Sequence, residues 1–126
     1  MDPLRSQCTD AQMERLLKAM DLLRILDREM PAQVTSCFLY VASHKNCHKQ
    51  AMEEYLDISA ASGSRNTDWL GKHHRLGKPG LELIQKEQDP TNRRRAVLNL
   101  TDRGQRVVKQ LRSILYDWTT NVPTMR

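Results

Sequence analysis

Aromatic residues are scarce in this chain of 126 residues, which has one Phe, two Trp and three Tyr. A hydrophobic core must therefore be built mainly from aliphatic and Met side chains. Long apolar runs are missing too: no stretch approaches the roughly 18 uncharged apolar residues that a membrane span needs. The N-terminal residues also lack the apolar segment of a secretory signal. We therefore expect a cytoplasmic protein with no membrane partner.

Cysteine is equally scarce, with three residues at positions 8, 37 and 47. An odd number of thiols without an export signal predicts a reducing compartment and no disulfide framework. His44, Cys47 and His48 are close in sequence, but no C-x-x-C pair accompanies them, so we expect no metal site and no cofactor. Cys37 is predicted to be a buried apolar group. Cys8, beside a predicted helix N-terminus, is the better candidate for oxidation.

Motifs of catalysis are absent as well. The sequence has no phosphate-binding loop, no Ser-His-Asp order and no paired carboxylates of the kind that acid–base catalysis uses. We therefore expect a protein that is not an enzyme.

Positive charge is concentrated in the second half of the chain. Residues 1–61 contain 7 Lys and Arg against 9 Asp and Glu, whereas residues 62–126 contain 13 against 6. The formal net charge of +5 therefore arises in the second half. This asymmetry favours a polyanionic partner, although an ordinary solvated basic surface has the same composition.

Two long segments, residues 9–30 and 102–120, have apolar residues at three- and four-residue steps. This spacing predicts amphipathic helices, the first opened by a Thr9–Gln12 capping box and the second by Thr101. Their apolar surface exceeds what one small core requires, so we expect the two helices to pair with a second copy in a homodimer. The predicted interface residues are Leu16, Leu23, Leu111, Ile114, Leu115 and Trp118.

Between these segments lie three shorter predicted helices, at residues 31–43, 50–56 and 60–74. Pro31 suits the first position of one helix, and Ser59 is a good N-cap for another. The second is expected to bury Tyr55. Gly63 and other small residues share one face of the third, which predicts close packing against a neighbouring helix.

Two predicted strands follow, at residues 81–86 and 96–100. The turn-rich loop between them, residues 89–95, ends in three arginines and gives the hairpin a basic tip. A helix-turn-helix followed by a basic β-hairpin is a winged helix-turn-helix. The sequence therefore predicts one mainly α domain over residues 1–126, with a two-stranded β-wing and a winged helix-turn-helix over residues 31–101.

Three motifs occur in a characteristic order. Ser64-Arg65 with Leu70 five residues on has the form S-R-x-x-x-x-L, and Gly80-Leu81 with Ile84 leads into the hairpin. The hairpin itself reads D-P-T-N-R-R and then V-L-N-L-T-D-R-G. Over residues 58–104 these motifs resemble the MarR family of dimeric winged-helix transcription regulators. Asn92 stands where the family usually has a second Asp, and Gly63 where a β-branched residue is common.

The resemblance implies a homodimeric regulator of transcription that binds double-stranded DNA, most often a repressor. Two symmetric reading heads imply a pseudo-palindromic operator with half-sites about one helical turn apart, ~34 Å. In this family a cleft between the dimer helices and the reading head often binds a small-molecule effector. A winged-helix adaptor that binds a protein partner, such as a component of the transcription machinery, is the alternative.

The predicted DNA-binding residues lie on the third short helix and on the hairpin. A helix enters the major groove when its outer face has short or polar side chains. Arg pairs with guanine edges and Asn with adenine edges, whereas a cluster of arginines suits phosphates or the minor groove. The helix residues are Ser59, Ser62, Ser64, Arg65 and Asn66, and the wing residues are Lys86, Asn92, Arg93, Arg94 and Arg95.

Overall fold

Five helices and a small antiparallel sheet form the fold in the computed structural model, which describes residues 6–72 and 77–121. Side chains of the last helix are described as far as Tyr116. The helices are α1 (Ala11–Leu26), α2 (Ala32–Ser43), α3 (Lys49–Leu56), α4 (Ala60–Leu70) and α5 (Asp102–Asn121). The strands are β1 (Cys47–His48), β2 (Ile84–Asp89) and β3 (Asn92–Leu100). The predicted mainly α winged-helix architecture is confirmed.

The boundaries of α1 differ from the prediction at both ends. Asp10, not Thr9, is the N-cap, because its carboxylate accepts a hydrogen bond of 3.1 Å from the amide of Met13. The helix ends four residues early, since Asp27 is extended and its carboxylate accepts the Glu29 amide at 2.9 Å in a turn. Pro31 is accordingly the N-cap of α2 rather than its first residue.

The sheet has three strands in the order β1-β3-β2, all antiparallel, rather than the two that were predicted. Cys47 and His48 form the extra strand by pairing with Leu98 and Val97. Both hairpin strands are also longer towards the tip than expected, so the connecting turn is Pro90-Thr91 alone. The three arginines therefore lie within β3 rather than in the turn, opposite the register irregularity between Gln88 and Asp89.

The core lies between the helices and the inner face of the sheet. Its largest fully buried side chains come from four different elements and one connecting segment, and they are Phe38, Met52, Leu70, Leu83 and Leu98. Tyr55, which was predicted to be buried, is 74% exposed. None of the helices within the described residues is both long enough and apolar enough to cross a bilayer.

The start of α5 is fixed closely against the segment that precedes β2. Thr101 caps the helix as predicted, because its hydroxyl accepts the Gly104 amide at 3.0 Å. A Cβ at Gly104 would collide with the backbone carbonyl of Leu83. Glycine therefore permits the close approach of α5 to the body of the winged helix.

Close packing of α4 on α3 depends on Gly63 and a buried ion pair. Glu53 pairs with Lys49, and their side chains are 10% and 15% exposed. A Cβ at Gly63 would collide with the Glu53 carboxylate. The predicted close approach of the small-residue face is confirmed, and its cause is the space that Glu53 occupies.

We expect Gly63→Ala to lower the free energy of unfolding by about 1–3 kcal/mol, because Glu53 must leave its buried position beside Lys49. Helix propensity alone acts the other way, favouring alanine by about 1 kcal/mol. Urea unfolding of Gly63→Ala in the wild-type and Glu53→Ala backgrounds measures the coupling between the two sites. The loss should be much smaller in the Glu53→Ala background. An equal loss in both backgrounds would contradict this explanation.

Candidate nucleic-acid interface

The outer face of α4 presents a short polar surface at the N-terminal end of the helix. The Ser59 hydroxyl accepts the Ser62 amide at 3.0 Å and so caps the helix, as predicted. Arg65 is exposed, and its Nη2 donates to the Ser62 hydroxyl at 2.9 Å. Ser64 is half-buried beside them. The result is an exposed arginine held over small side chains at the start of the helix.

Asn66 does not belong to this surface, and its predicted role is wrong. It is 7% exposed, and its Nδ2 donates to Gln33 Oε1 at 2.8 Å and approaches Cys37 Sγ at 3.6 Å. The reason lies in helix geometry, because Asn66 is three residues after Gly63 and shares the face that packs on α2 and α3. Its amide fixes α4 to α2 and is unavailable to read a base.

The wing carries its positive charge on β3. Arg93, Arg94 and Arg95 are all exposed, and no described carboxylate lies within 4.0 Å of any of them. Asn92 supports the start of the strand by accepting the Arg94 amide on its Oδ1 at 3.1 Å. Within the described residues, this arginine cluster has no carboxylate partner, which suits it to pairing with an external polyanion.

Lys86 has a different position from the one predicted for a wing contact. Its Nζ lies 3.6 Å from Asp68 Oδ1, so it joins β2 to α4. This ion pair holds the base of the wing beside the helix. Lys86 is nevertheless exposed, so its contact with DNA stays a prediction.

A second contact between the wing and the helices was not predicted from the sequence. His48 Nε2 lies 2.9 Å from Asp89 Oδ2, and Asp89 Oδ1 accepts both the amide and the hydroxyl of Thr91. Hydrogen bonds lower the pKa of Asp89 to about 2, and the bond from His48 contributes more than those from Thr91. Sequence reasoning missed this pair because its partners are 41 residues apart.

The residues weighed as metal ligands have separate partners. His44 stacks on Tyr40 with ring centroids 4.0 Å apart, whereas the Cys47 thiol lies 3.9 Å from the Leu98 carbonyl and His48 contacts Asp89. No group of three or more His, Cys, Asp or Glu residues among those described is arranged to hold a metal ion.

The thiols differ in their exposure. Cys37 is buried, as predicted, and Cys47 is buried too. Burial raises the pKa of both thiols above its usual value, so they are poor nucleophiles. Cys8 is exposed.

A basic groove of about 1100 Å³ lies between the end of α2, the base of the sheet and α5. Four cationic side chains line the groove: Lys45, Arg106, Lys109 and Arg112. Asp102 is the one acidic residue among its described lining residues. None of the four has a carboxylate within 4.0 Å in the described part of the chain. The groove therefore has an electrostatic preference for anions.

An apolar stripe on α1 is exposed to solvent. It consists of residues at positions i, i+3, i+4 and i+7 that are 42–59% exposed: Met13, Leu16, Leu17 and Met20. On α5, Leu115 and Tyr116 are 38% and 59% exposed. Surface of this kind on a small domain is typical of an interface.

The structure corrects part of the predicted dimer interface. Leu23 and Leu111 are only 3% and 6% exposed, because both face the core of their own chain where α1 packs on α5. Ile114 is half-buried at the same contact, where its carbonyl accepts Arg15 Nη1 at 3.1 Å. Leu16 and Leu115 are exposed as an interface requires, and the side chain of Trp118 lies outside the described residues.

Comparison with known proteins places the fold. No family model matches the sequence, and no curated protein does. Solved structures do match. The crystal structure of MarR is 20% identical, with a TM-score of 0.57 over 85% of this chain and 77% of that one. The MepR–DNA complex of S. aureus is 20% identical, with a TM-score of 0.67 over 86% and 81%.

A third structure, RV1404 from Mycobacterium tuberculosis, covers 99% of this chain and 86% of its own, with 21% identity and a TM-score of 0.60. Although the sequences are only about 20% identical, the TM-scores show a shared architecture, which extends over most of each chain. The resemblance inferred from residues 58–104 is thereby confirmed at the level of the fold. The chain has the winged-helix fold of the MarR-type regulators.

Proposed function

We propose that this protein is a homodimeric, sequence-specific regulator of transcription that binds double-stranded DNA and acts as a repressor. The observation that carries the proposal is the exposed arginine surface of two neighbouring elements, α4 and the wing. Arg65 extends from one, and Arg93, Arg94 and Arg95 extend from the other with no carboxylate within 4.0 Å in the described part of the chain. A protein of the same fold, MepR, has been solved as a DNA complex.

The face of α4 suits the major groove. Ser59 and Ser62 are small, so the helix backbone is able to approach the base edges. Arg65 is then placed for a bidentate contact with the O6 and N7 atoms of guanine. Because Asn66 is buried, base reading depends on fewer side chains than the sequence predicted.

The wing suits the sugar–phosphate backbone or the adjacent minor groove. Arg93, Arg94 and Arg95 lie between the Asn92–Asp89 and Ala96–Gln88 pairs, in an irregular part of the hairpin, and all three are exposed. Contacts of this kind strengthen binding to every sequence and release counterions.

Dimerisation is supported by the α1 stripe. Four large apolar side chains on one face of a 16-residue helix are exposed in the single chain. Burial against a second copy removes that surface from water, and a two-fold axis then presents two reading heads to a pseudo-palindromic site.

The basic groove supports control by a small-molecule effector. Its cations favour an anionic compound, and its floor includes apolar atoms of Val41 and Val108 that suit an aromatic or aliphatic body. The groove lies between α5 and the winged helix, so an occupant contacts both parts of the protein.

A salt titration of duplex binding tests the proposal against the adaptor alternative. For a regulator, log K should fall linearly with log salt, with a slope of about −0.9 for each phosphate contacted. An adaptor should bind no duplex at any salt concentration. Binding that is absent at low salt would therefore overturn the proposed function.

We expect Arg65→Ala and Arg94→Ala to weaken DNA binding in different ways. Arg65→Ala should cost about 1–3 kcal/mol on the preferred sequence and relax base preference, because it removes a base contact. Arg94→Ala should weaken binding to all sequences and reduce the salt slope by about one. Affinities for matched and scrambled duplexes over a range of salt separate the two effects. The same loss of base preference in both variants would show that α4 is not the reading element.

We expect Leu16→Asp with Leu17→Asp to produce a folded monomer, since both side chains are half or more exposed and carry little of the core. Ile25→Asp is the matched control, because Ile25 is 79% exposed on the same helix but about 120° away from Met13 around its axis. Sedimentation equilibrium at micromolar concentration measures the state. Wild-type protein that sediments as a monomer would contradict the dimer.

A further inference from the structure

The outer part of the wing is joined to the helices by the contact between His48 and Asp89. His48 is the residue directly before α3, and Asp89 is the last residue of β2, so the contact links the helix-turn-helix with the turn of the wing. Among the described residues, no other side-chain hydrogen bond or ion pair joins residues 88–96 to the helices.

Backbone pairing gives the outer wing little other support. β1 has two residues, which pair with Leu98 and Val97, so the part of β3 before them has no third strand beside it. In that part Ala96 pairs with Gln88 and Asn92 with Asp89, while residues 93–95 between them have no paired residue on β2. Arg93, Arg94 and Arg95 lie in this two-stranded part. Their placement relative to α4 therefore depends on the hairpin and on the contact that anchors its turn.

The surroundings of His48 contain charges from three elements. Asp89 approaches from β2, and Glu54 of α3 and Arg95 of β3 line the same small recess as the imidazole. Glu87 lies in the same cross-strand row, because it and His48 both pair with Val97. Asp89, Glu54 and Glu87 bring negative charge to this recess, and Arg95 brings positive charge.

We propose that His48 is the positioning residue of the wing, and that protonation of its imidazole tightens the hold on Asp89 and thereby on the β3 arginines. The consequence for DNA affinity rests on the proposed function, whereas the effect on the wing does not.

The direction of the pH effect follows from the two side chains. Asp89 stays ionised above about pH 3, because its pKa is lowered to about 2. When the imidazole of His48 is protonated, the contact is a charge-assisted ion pair, and when it is neutral, it donates a hydrogen bond roughly half as strong. The wing is therefore held most firmly at mildly acidic pH, where imidazoles gain a proton, and loosens as the pH rises.

Hydrogen exchange on the protein without DNA tests the positioning role directly. Rates for the amides of residues 92–96, each divided by its intrinsic rate at the same pH, are compared at about pH 5.5 and pH 8. We expect protection to fall roughly fivefold in the wild type. His48→Gln keeps an N–H donor but cannot titrate, so its protection should not change with pH. Asp89→Asn, which removes the carboxylate, should behave in the same way.

His44→Gln is the matched control, because His44 is an exposed histidine that stacks on Tyr40 of α2 and has no hydrogen bond or ion pair with the wing among the described residues. It should retain the wild-type response. Protection that is independent of pH in the wild type, or that depends on pH equally in His48→Gln, would overturn the proposal.

Duplex affinity over the same pH range gives the functional readout. The wild type and His44→Gln should bind roughly fivefold more tightly at the acidic end. His48→Gln should show one affinity throughout, because its hold on the wing no longer titrates. A wild type that binds no duplex would overturn the proposed function, while the exchange measurement would still decide the role of His48. A wild-type affinity that does not change with pH would contradict the link between the wing and DNA.

Discussion

The close approach of α4 to the helices beneath it is the constraint on which the rest of the structure depends. Gly63 leaves the space that the Glu53 carboxylate fills, and Lys49 neutralises that carboxylate in a nearly closed site. Asn66 then joins α4 to Gln33 of α2. A buried ion pair adds little net stability but penalises other arrangements, because a displaced Glu53 would be an unpaired buried charge. The rotation of α4 about its axis is thereby fixed, and its polar face is directed outward.

The wing is positioned by the same kind of contact, at two points along its length. Lys86 joins its base to Asp68 of α4, and His48 joins its turn to the start of α3. His48 and Lys86 thus engage the carboxylates of Asp89 and Asp68, while Arg93, Arg94 and Arg95 have no carboxylate partner among the described residues. Because these two carboxylates have partners inside the protein, the exposed surface of the β3 arginines carries a net positive charge.

Features set by neighbouring residues could be predicted from the sequence. Ser59 and Thr101 are local caps, and Gly63 marked a close approach because a helix interior otherwise disfavours glycine. Features set by distant residues could not. Cys47 and His48 become a strand only through Leu98 and Val97, some fifty residues later. A turn and a two-residue strand have the same local pattern.

The remaining wrong predictions at the candidate site concern residues whose burial the sequence does not reveal. Leu23 and Leu16 belong to the same apolar pattern of α1, but α5 covers the first and leaves the second exposed. Periodicity identifies an apolar face without showing which part of it the chain buries by itself. Asn66 was misplaced for a similar reason, since a polar residue on a packed face is recognised only when its partners, here Gln33 and Cys37, are known.

Selection of bound sequences from a pool of random duplexes tests the central claim most directly. A dimer with two α4 helices related by a two-fold axis should enrich a pseudo-palindrome whose half-sites are centred about one helical turn, ~34 Å, apart. Enrichment should be lost in Arg65→Ala, while the half-site spacing survives in Arg94→Ala. A pool that shows no enrichment after repeated rounds, or a single site without symmetry, would contradict the account of a dimeric reader of DNA.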